Sequence, residues 1–337
     1  MTGELSVKNA TPVGVLLMAY GTPETPDQVE AYFTHIRGGR VPSPESVAHL
    51  QHRYELVGGR TPLLDITEAT RAALETDLNA DAPGQYRVYA GMKHWHPYIA
   101  AVLAQMVADG IQRIIAVALA PHYSRISIGG YRKAVEEGAA ALGNPFTEIT
   151  LVESWHLQPE YMDLMAEHIR VAREKFSAEE QEAILTVFSA HSLPERIRTW
   201  DDPYESQLLA SSAAVAERLG LQDWRFAWQS AGSTGEPWIG PDILDYLETL
   251  HAEGVTTVLQ VPIGFVAEHL EVLFDIDYEA KQKAEELGMH LERTAMPNAT
   301  PGFIRNLASI VTESDPQGDV EGAHRRVASL HAETISH

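Results

Sequence analysis

Short apolar runs alternate along the chain with longer stretches in which apolar residues recur every three or four positions. The runs are rich in Val, Ile and Tyr and predict buried strands. They lie at 13–20, 86–91, 113–120, 148–153, 183–190, 224–229 and 256–263. Strands that alternate with helices are typical of βαβ units, so we predict an α/β fold built from parallel sheets.

Two segments of the first half of the chain recur in the second half. Ala-Tyr-Gly-Thr-Pro-Glu at 19–24 and Ala-His-Ser-Leu-Pro-Glu at 190–195 each follow an apolar strand. Residues 106–121 resemble 250–262, because both contain a helix end, an acidic residue, a glycine and a buried strand that ends at proline. The sequence therefore predicts two similar α/β halves.

The predicted division places the first half at 11–155 and the second at 156–301. A helix at about 302–314 is expected to pack back on the first half, and SDPQGD predicts a break before a flexible tail at 315–337. Ligands of open parallel sheets bind beyond the carboxyl ends of the strands, so the expected site is the cleft between the halves.

The apolar runs, the N-terminal sequence and the net charge indicate where the protein is located and which partners it can bind. The apolar runs are shorter than the ~20 residues that span a bilayer, and MTGELSVKNATP has neither a basic start nor an apolar stretch, so we expect a cytoplasmic protein without integral membrane association. The formal charge of −22 argues against nucleic acid as a partner. An anionic substrate would need a local group of cations. We expect a monomer.

The chain contains no cysteine. Disulfides, cysteine-based zinc sites and cysteine-ligated iron–sulfur clusters are therefore excluded, and any metal must bind through nitrogen or oxygen. No permanently bound cofactor is expected.

A carboxylate stripe is the first candidate for chemistry. The segment 266–288 has helical periodicity, and Glu271, Asp275 and Glu279 are spaced four apart, so they share one helix face. The ordinary interpretation is a solvated acidic face, supported by a Glu279–Lys283 pair. The stripe follows a strand directly, however, so Glu271 is expected near the ligand, where the three carboxylates could pass a hard cation inward.

Histidines at strand ends are the second candidate. His191 ends one predicted strand at the position that Tyr20 occupies in the other half, so both side chains are expected to face the cleft. An imidazole there can bind Fe²⁺ or accept a proton near neutral pH, although a hydrogen-bonded core histidine is the alternative. His94 in GMKHWHP lies beside a further strand, and substrate positioning and loop packing explain it equally well.

Four arginines lie among glycines near the start of the chain: Arg37, Arg40, Arg53 and Arg60. Arginine forks suit carboxylates held in a loop-lined cleft. The Gly-Gly pairs match no phosphate-binding pattern that follows a strand, so nucleotide binding is weakly supported.

The segments MAYGTPE, THIRGGR, SAHSLPE and FVAEHLEVLFDIDYE resemble the signature segments of the ferrochelatase family, of the class found in Gram-positive and related bacteria. The resemblance runs from about 13 to about 310. It implies two Rossmann-like domains, each a parallel sheet flanked by helices, with a porphyrin clamped between them as in other chelatases. It also implies ferrous iron as the inserted metal, and enzymes of the haem pathway as transient partners.

The resemblance assigns roles to residues of this chain. It implies that His191 and Glu271 face the porphyrin centre as the catalytic and iron-binding pair, and that Asp275 and Glu279 continue an acidic path. The Lys93-His94 pair matches the family's Lys-His pair at the substrate. Some relatives hold a [2Fe–2S] cluster through cysteines, and this chain cannot.

The tyrosine of MAYGTPE is similar to that of coproporphyrin ferrochelatases, which implies that Tyr20 faces the iron from the side opposite His191. The resemblance places Arg37, Arg53, Thr61 and Tyr131 on the four propionates of coproporphyrin III. Gly38 stands where some relatives have arginine, and Thr61 where others have serine.

These observations lead to a hypothesis of mechanism. A neutral His191 accepts a pyrrole proton while Glu271 assists in proton removal or metal delivery. The alternatives are a protoporphyrin IX ferrochelatase, a chelatase that inserts cobalt or nickel into a reduced tetrapyrrole, and a non-catalytic porphyrin or metal carrier.

Overall fold

The computed structural model of the protein describes residues 11–232 and 235–315, which form eight strands in two parallel sheets. The first sheet has the order β2-β1-β3-β4 and the second the order β6-β5-β7-β8. The strands are β1 (Val13–Ala19), β2 (Tyr86–Met92), β3 (Arg113–Ala118), β4 (Glu148–Val152), β5 (Leu185–His191), β6 (Trp224–Gln229), β7 (Thr257–Val261) and β8 (His290–Arg293).

Helices cover both faces of each sheet. They are α1 (Val29–Ile36), α2 (Pro44–Leu56), α3 (Leu63–Leu78), α4 (Ile99–Ala108), α5 (Ile128–Ala141), α6 (Pro159–Arg173), α7 (Ala178–Ala183), α8 (Tyr204–Leu219), α9 (Ile243–Ala252), α10 (Leu270–Leu273), α11 (Lys281–Glu286) and α12 (Pro301–Glu313). Short 3₁₀ helices occupy Pro26–Gln28 and Glu195–Trp200, and a π-helical segment occupies Asp275–Ala280.

The two sheets confirm the predicted duplication. Each sheet places its first strand in chain order second from one edge, between the second and third strands. The paired segments of the sequence end at equivalent places, since β1 precedes Tyr20 and β5 ends at His191. The fold is therefore two similar α/β units, as predicted.

One strand was missed. β8 at the edge of the second sheet pairs with β7, with Gln260 opposite Arg293. β8 has four residues, and only one of them, Leu291, is apolar. A pattern this short does not identify a strand from sequence.

The predicted helix at 266–288 is wrong in its first part. His269 has extended backbone, so the helix begins only at Leu270, and the ladder widens to a π turn at Asp275–Ala280. The amide of Glu279 donates to the carbonyl of Phe274, five residues earlier, at 2.9 Å. Side chains of this segment are held by Ser230, Arg53 and Arg293, and such tethers favour a local departure from α-helical pitch.

A single apolar cluster joins the two sheets. It includes Val15 and Leu17 of β1, Phe188 of β5 and Phe303 of α12, all of which are buried. α12 packs against α3 of the first half and α6 of the second. The exact bounds of 11–155 and 156–301 stay a prediction, and the predicted tail beyond Asp315 lies outside the described residues.

Among the residues that the structure describes, no helix is both long and apolar enough to cross a membrane.

We expect Phe303→Ala to lower the free energy of unfolding by about 3–5 kcal/mol, because Phe303 is 1% exposed and fills the cluster shared by both halves. Chemical denaturation followed by circular dichroism measures this loss. Val171→Ala is the matched control, since Val171 is 53% exposed and its truncation should change stability by less than about 0.5 kcal/mol. A similar loss of unfolding free energy in both variants would show that Phe303 of α12 is not important for the shared apolar cluster.

Candidate active site

The carboxyl ends of β1 and β5 open on the cleft between the halves. Tyr20 follows β1 immediately and its side chain is 42% exposed, whereas the residues of β1 itself are buried. Gly21 lets the chain turn away at once, because its φ of +92° suits glycine and an added Cβ would lie 2.7 Å from the Cβ of Trp95. The backbone therefore turns directly after Tyr20, at the end of β1.

His191, at the end of β5, forms an ion pair with Glu271. Its Nε2 lies 3.3 Å from Oε1 of Glu271, and its Nδ1 donates to the carbonyl of Ser192. The second oxygen of Glu271, Oε2, lies 3.1 Å from Nε2 of His269, whose Nδ1 donates to the carbonyl of Ala267 at 2.8 Å. One carboxylate is therefore held by two imidazoles. We call His191, Glu271 and His269 the histidine–carboxylate row.

The pKa values of this row follow from burial and from the shared charge. Burial opposes the charged form of His191, but the Glu271 carboxylate and the Ser192 carbonyl outweigh it and raise its pKa to about 9. Burial likewise opposes the charge of Glu271, yet the two imidazoles hold its pKa well below the usual range. These shifts favour imidazolium and carboxylate for the pair near neutral pH, so His191 must lose its Nε2 proton before it can act as the neutral base of the hypothesis.

A cavity of about 220 Å³ lies behind Glu271, and the predicted carboxylate stripe lines it. Its walls are His49, Arg53, Gln229, Ser230, Ala231, Asp242, Ile243, Leu244, Glu271, Phe274, Asp275 and Glu279. Asp275 is buried, accepts from Ser230 and pairs with Arg53. The stripe is therefore not a solvated face, and the expected partner of Glu279 is wrong, because Lys283 pairs with Glu248 instead.

Two of these carboxyl groups are less acidic than usual. Burial raises the pKa of Asp275, although the Arg53 guanidinium works in the opposite direction, and Glu271 adds to the increase. Burial also raises the pKa of Glu279, with a contribution from Asp275. Carboxylates that lie along one cavity wall repel one another, and a cation that enters the cavity stabilises their charged forms.

Aromatic and histidine rings support Tyr20 on the other side of the cleft. The rings of Tyr20 and His94 have centroids 4.5 Å apart, and Nδ1 of His94 lies 3.1 Å from Nδ1 of His35. The His35 ring stacks on Tyr98, with centroids 4.9 Å apart. Burial, with help from the nearby Lys93 and His35, lowers the pKa of His94 to about 3, so its imidazole is neutral near pH 7.

Lys93 lies beside Tyr131, with its Nζ 5.1 Å from the centre of the tyrosine ring. The Nζ donates to the carbonyl of Ser127 at 3.5 Å. Burial lowers the pKa of Lys93 to about 8. Among the described residues, no carboxylate lies within ion-pair distance of this ammonium group.

The remaining predicted residues differ in their contacts. Arg53 pairs with Asp275 and stacks on Phe274, and its Cζ is 4.4 Å from the ring centre. Arg37 is exposed and packs over Phe33. Thr61 is buried and donates to Thr22 at 3.1 Å.

Of the other arginines, Arg60 pairs with Asp65, and Arg40 donates to the carbonyl of Arg37. Gly38 has a φ of +66° and donates to the carbonyl of His35, so it ends α1 in a conformation that favours glycine.

Sequence reasoning missed His269, His35 and Ser230. His269 lies two residues before Glu271, a separation that helical periodicity does not bring together; the extended backbone of His269 makes the contact possible. His35 lies in THIRGGR, a segment in which the sequence analysis considered the arginines and not the histidine.

The described residues contain no cluster of three or more histidine or acidic side chains arranged to hold a metal ion by themselves.

Comparison with known proteins identifies the family. A family model described as Ferrochelatase matches residues 12–315. A ferrochelatase of Herpetosiphon aurantiacus is 51% identical over 298 residues, which cover 88% of this chain and 97% of that protein. A coproporphyrin III ferrochelatase of Bacillus subtilis is 41% identical over 301 residues, covering 89% of this chain and 96% of that protein.

Among solved structures, SirB from Bacillus subtilis with Fe³⁺ has a TM-score of 0.56 at 12% identity, and the match covers 90% of this chain and 96% of that one. At this identity the likeness concerns the fold alone, and it confirms the two-unit chelatase architecture. The family match spans nearly all the described residues, and the chain belongs to the ferrochelatase family.

Proposed function

We propose that this ferrochelatase of haem biosynthesis inserts ferrous iron into coproporphyrin III, and that His191 and Glu271 carry out the insertion. The observation that carries the proposal is the histidine–carboxylate row, with Tyr20 close enough to Glu271 for the carboxylate charge to contribute to the raised pKa of its phenol. A porphyrin clamped there would receive iron and lose protons on the His191 side, with Tyr20 at its opposite face.

The metal ion is a substrate in this reaction, and the porphyrin itself supplies four nitrogen ligands. His191 and Glu271 would then supply two further ligands from one side while the iron is delivered. Asp275 and Glu279 lead from the cavity to Glu271 and would bring the hydrated cation in by their charge.

Coproporphyrin III carries four propionates, which require cations in a chain whose formal charge is −22. Lys93 is half-buried and has no carboxylate partner among the described residues, and Arg37 is exposed without one. Arg53, Thr61, Tyr131 and His94 would complete the contacts, as the resemblance to the family implies. Several relatives are named coproporphyrin III ferrochelatases, including those of Geobacillus and Bacillus subtilis.

Insertion must remove two pyrrole protons. In the resting row, Nδ1–H of His191 is bound to the Ser192 carbonyl, so Nε2 is the nitrogen that exchanges a proton at the cleft. Because the pKa of His191 is about 9, Nε2 must first lose its proton before it can accept one from a pyrrole. An arriving dication favours this loss by repelling the imidazolium, and the proton passes by way of Glu271 to solvent. Neutral His191 then takes the first pyrrole proton, releases it by the same route and takes the second, so that two protons reach solvent for each Fe²⁺ inserted.

The strongest alternative substrate is protoporphyrin IX, which has two vinyl groups in place of two propionates. The relative at 51% identity is named only as a ferrochelatase, so names alone leave this choice open. A carrier without catalysis would need the cations but not the histidine–carboxylate row.

The first test compares the two porphyrins under anaerobic conditions with Fe²⁺, following metalation by absorbance. We expect kcat/KM to be at least about tenfold higher for coproporphyrin III, because each desolvated charge-assisted contact contributes about 1.5–3 kcal/mol. A preference for protoporphyrin IX would contradict the proposed substrate, and tight binding without metalation would favour the carrier.

The same assay locates the propionate contact. Lys93→Gln should raise KM for coproporphyrin III by about tenfold, since one such contact is lost. Lys133→Gln is the matched control, because Lys133 lies on α5 near Tyr131 but is exposed and pairs with Glu137. Equal changes in the two variants would indicate a general effect of charge.

The pH dependence tests the base. We expect kcat/KM to increase with pH up to about 9, because only the neutral form of His191 can accept a proton. In Glu271→Gln the carboxylate that raises this pKa is absent while burial still lowers it, so the rise should move toward or below pH ~6.5, with a lower maximal rate.

Glu55→Gln is the control for the pH experiment, because Glu55 pairs with His52 on the surface, 3.5 Å away, and lies outside the site. Its profile should match that of the unmodified protein. A Glu271→Gln profile that rises at the unchanged pH would contradict the assignment of His191 as the titrating base.

A further inference from the structure

The segment that carries Glu271 lacks the support that an ordinary helix gives. Residues 266–269 precede helical geometry, α10 is only four residues long, and the π turn begins at Asp275. One four-residue helix between two irregular stretches cannot by its own hydrogen bonds fix a carboxylate to within a few tenths of an ångström. His191 and Gln229 contact Glu271 directly, the latter by donating its Nε2 hydrogen to the Glu271 carbonyl at 3.1 Å, and the segment on either side of Glu271 needs further contacts.

Arg293, the last residue of β8, supplies such a contact on both sides of Glu271. Its Nε and Nη2 donate to the two oxygens of Asp277, each at 2.7 Å. Its Nη2 and Nη1 donate to the two oxygens of Glu268, at 3.0 and 3.3 Å. Nη1 also donates to the carbonyl of Thr294 at 3.0 Å, so every nitrogen of the guanidinium is used.

The two carboxylates that Arg293 holds flank the catalytic carboxylate in sequence. Glu268 lies three residues before Glu271, and Asp277 lies six residues after it. The Arg293 side chain is only 12% exposed, and its β8 backbone pairs with β7 in the centre of the second half. The guanidinium therefore ties the irregular segment to the sheet at two points.

The contact between Arg293 and Asp277 also affects how the carboxylate stripe is aligned. In a regular α-helix, residues four apart advance by about 40° around the axis, so a stripe of three carboxylates on one face slants by about 80° from the first to the third. The π turn is wider and rotates less per residue, and in this structure Glu271, Asp275 and Glu279 all line one cavity. Asp277 lies inside that turn, where Arg293 holds it.

We propose that Arg293 is a positioning residue for iron insertion: by clamping Glu268 and Asp277, it holds Glu271 in place beside His191 and keeps the π turn that aligns the carboxylates. The inference rests on the proposed role of Glu271. Arg293 itself does not face the cavity, and it acts only through the segment that it holds. A lysine could supply the charge but not the two-sided fork.

The experiment measures kcat, the KM for coproporphyrin III and the melting temperature of Arg293→Lys. We expect kcat to fall by about 10- to 100-fold, as for other groups that orient metal-binding side chains, while KM for the porphyrin stays within about twofold. Arg71→Lys is the matched control, since Arg71 also grips one carboxylate, Glu68, with two nitrogens but lies on α3. Its kcat should not change.

Asp277→Asn provides a second route if Arg293→Lys folds poorly. It removes one arm of the clamp while Glu268 still neutralises Arg293, and it should lower kcat in the same way. The double variant should be no worse than the poorer single variant, because both changes break one interaction.

Several results would overturn the inference. The first is an unchanged kcat in both Arg293→Lys and Asp277→Asn, and the second is a loss of kcat no larger than the loss of folded protein. The third is a change confined to the KM for the porphyrin. The fourth is a double variant in which the losses of the two single variants multiply. Glu271→Gln is measured alongside. If Glu271→Gln keeps full kcat, both the role of Glu271 and the clamp fail; if only the Arg293 and Asp277 variants are normal, the clamp alone fails.

Discussion

The carboxylate of Glu271 is the group on which the arrangement of the site depends. It accepts from two imidazoles, one on β5 and one at the entrance of its own segment, and it stands between the acidic cavity and the cleft. The Glu271 carboxylate raises the pKa of His191, so in the proposed mechanism a proton must leave His191 before it can act as a base. The proposal thereby links metal arrival and proton departure at one carboxylate.

The repeated α/β unit explains why these groups meet. Parallel strands gather their carboxyl ends at one edge of each sheet, and facing edges make a cleft. Tyr20 and His191 occupy equivalent positions in the two units, but the residues around them differ: Tyr20 rests on neutral rings, whereas His191 rests on charged groups. The two units are alike in their strand order, and the difference in side chains is the basis for proposing that iron arrives on the His191 side.

Much of this was predictable from the sequence. Strand periodicity predicted seven of the eight described strands, and the paired Ala-Tyr and Ala-His segments predicted the two-unit fold. The spacing of Glu271, Asp275 and Glu279 predicted a common face, which the shared cavity confirms. The roles of His191 and Glu271 came from the family resemblance and stay a proposal until they are measured.

The rest could not be predicted for physical reasons. The π turn and the extended His269 depend on tertiary contacts with Ser230 and Arg293, which no local pattern reveals. The protonation state of His191 depends on a distance of 3.3 Å to a residue 80 positions away along the chain. Likewise, the half-buried Lys93, which has no carboxylate partner in the part of the chain that the structure describes, is recognisable only once the neighbouring loops are in place.

The most direct measurement of the central claim is a single-turnover experiment on a preformed complex with coproporphyrin III. Fe²⁺ is mixed anaerobically with the complex of the unmodified protein, of His191→Ala and of Glu271→Gln, and metalation is followed by absorbance. The account predicts that all three proteins bind the porphyrin with similar affinity, while both variants lose at least about a hundredfold in the insertion rate. Unchanged insertion in either variant, or loss of porphyrin binding in place of insertion, would contradict it.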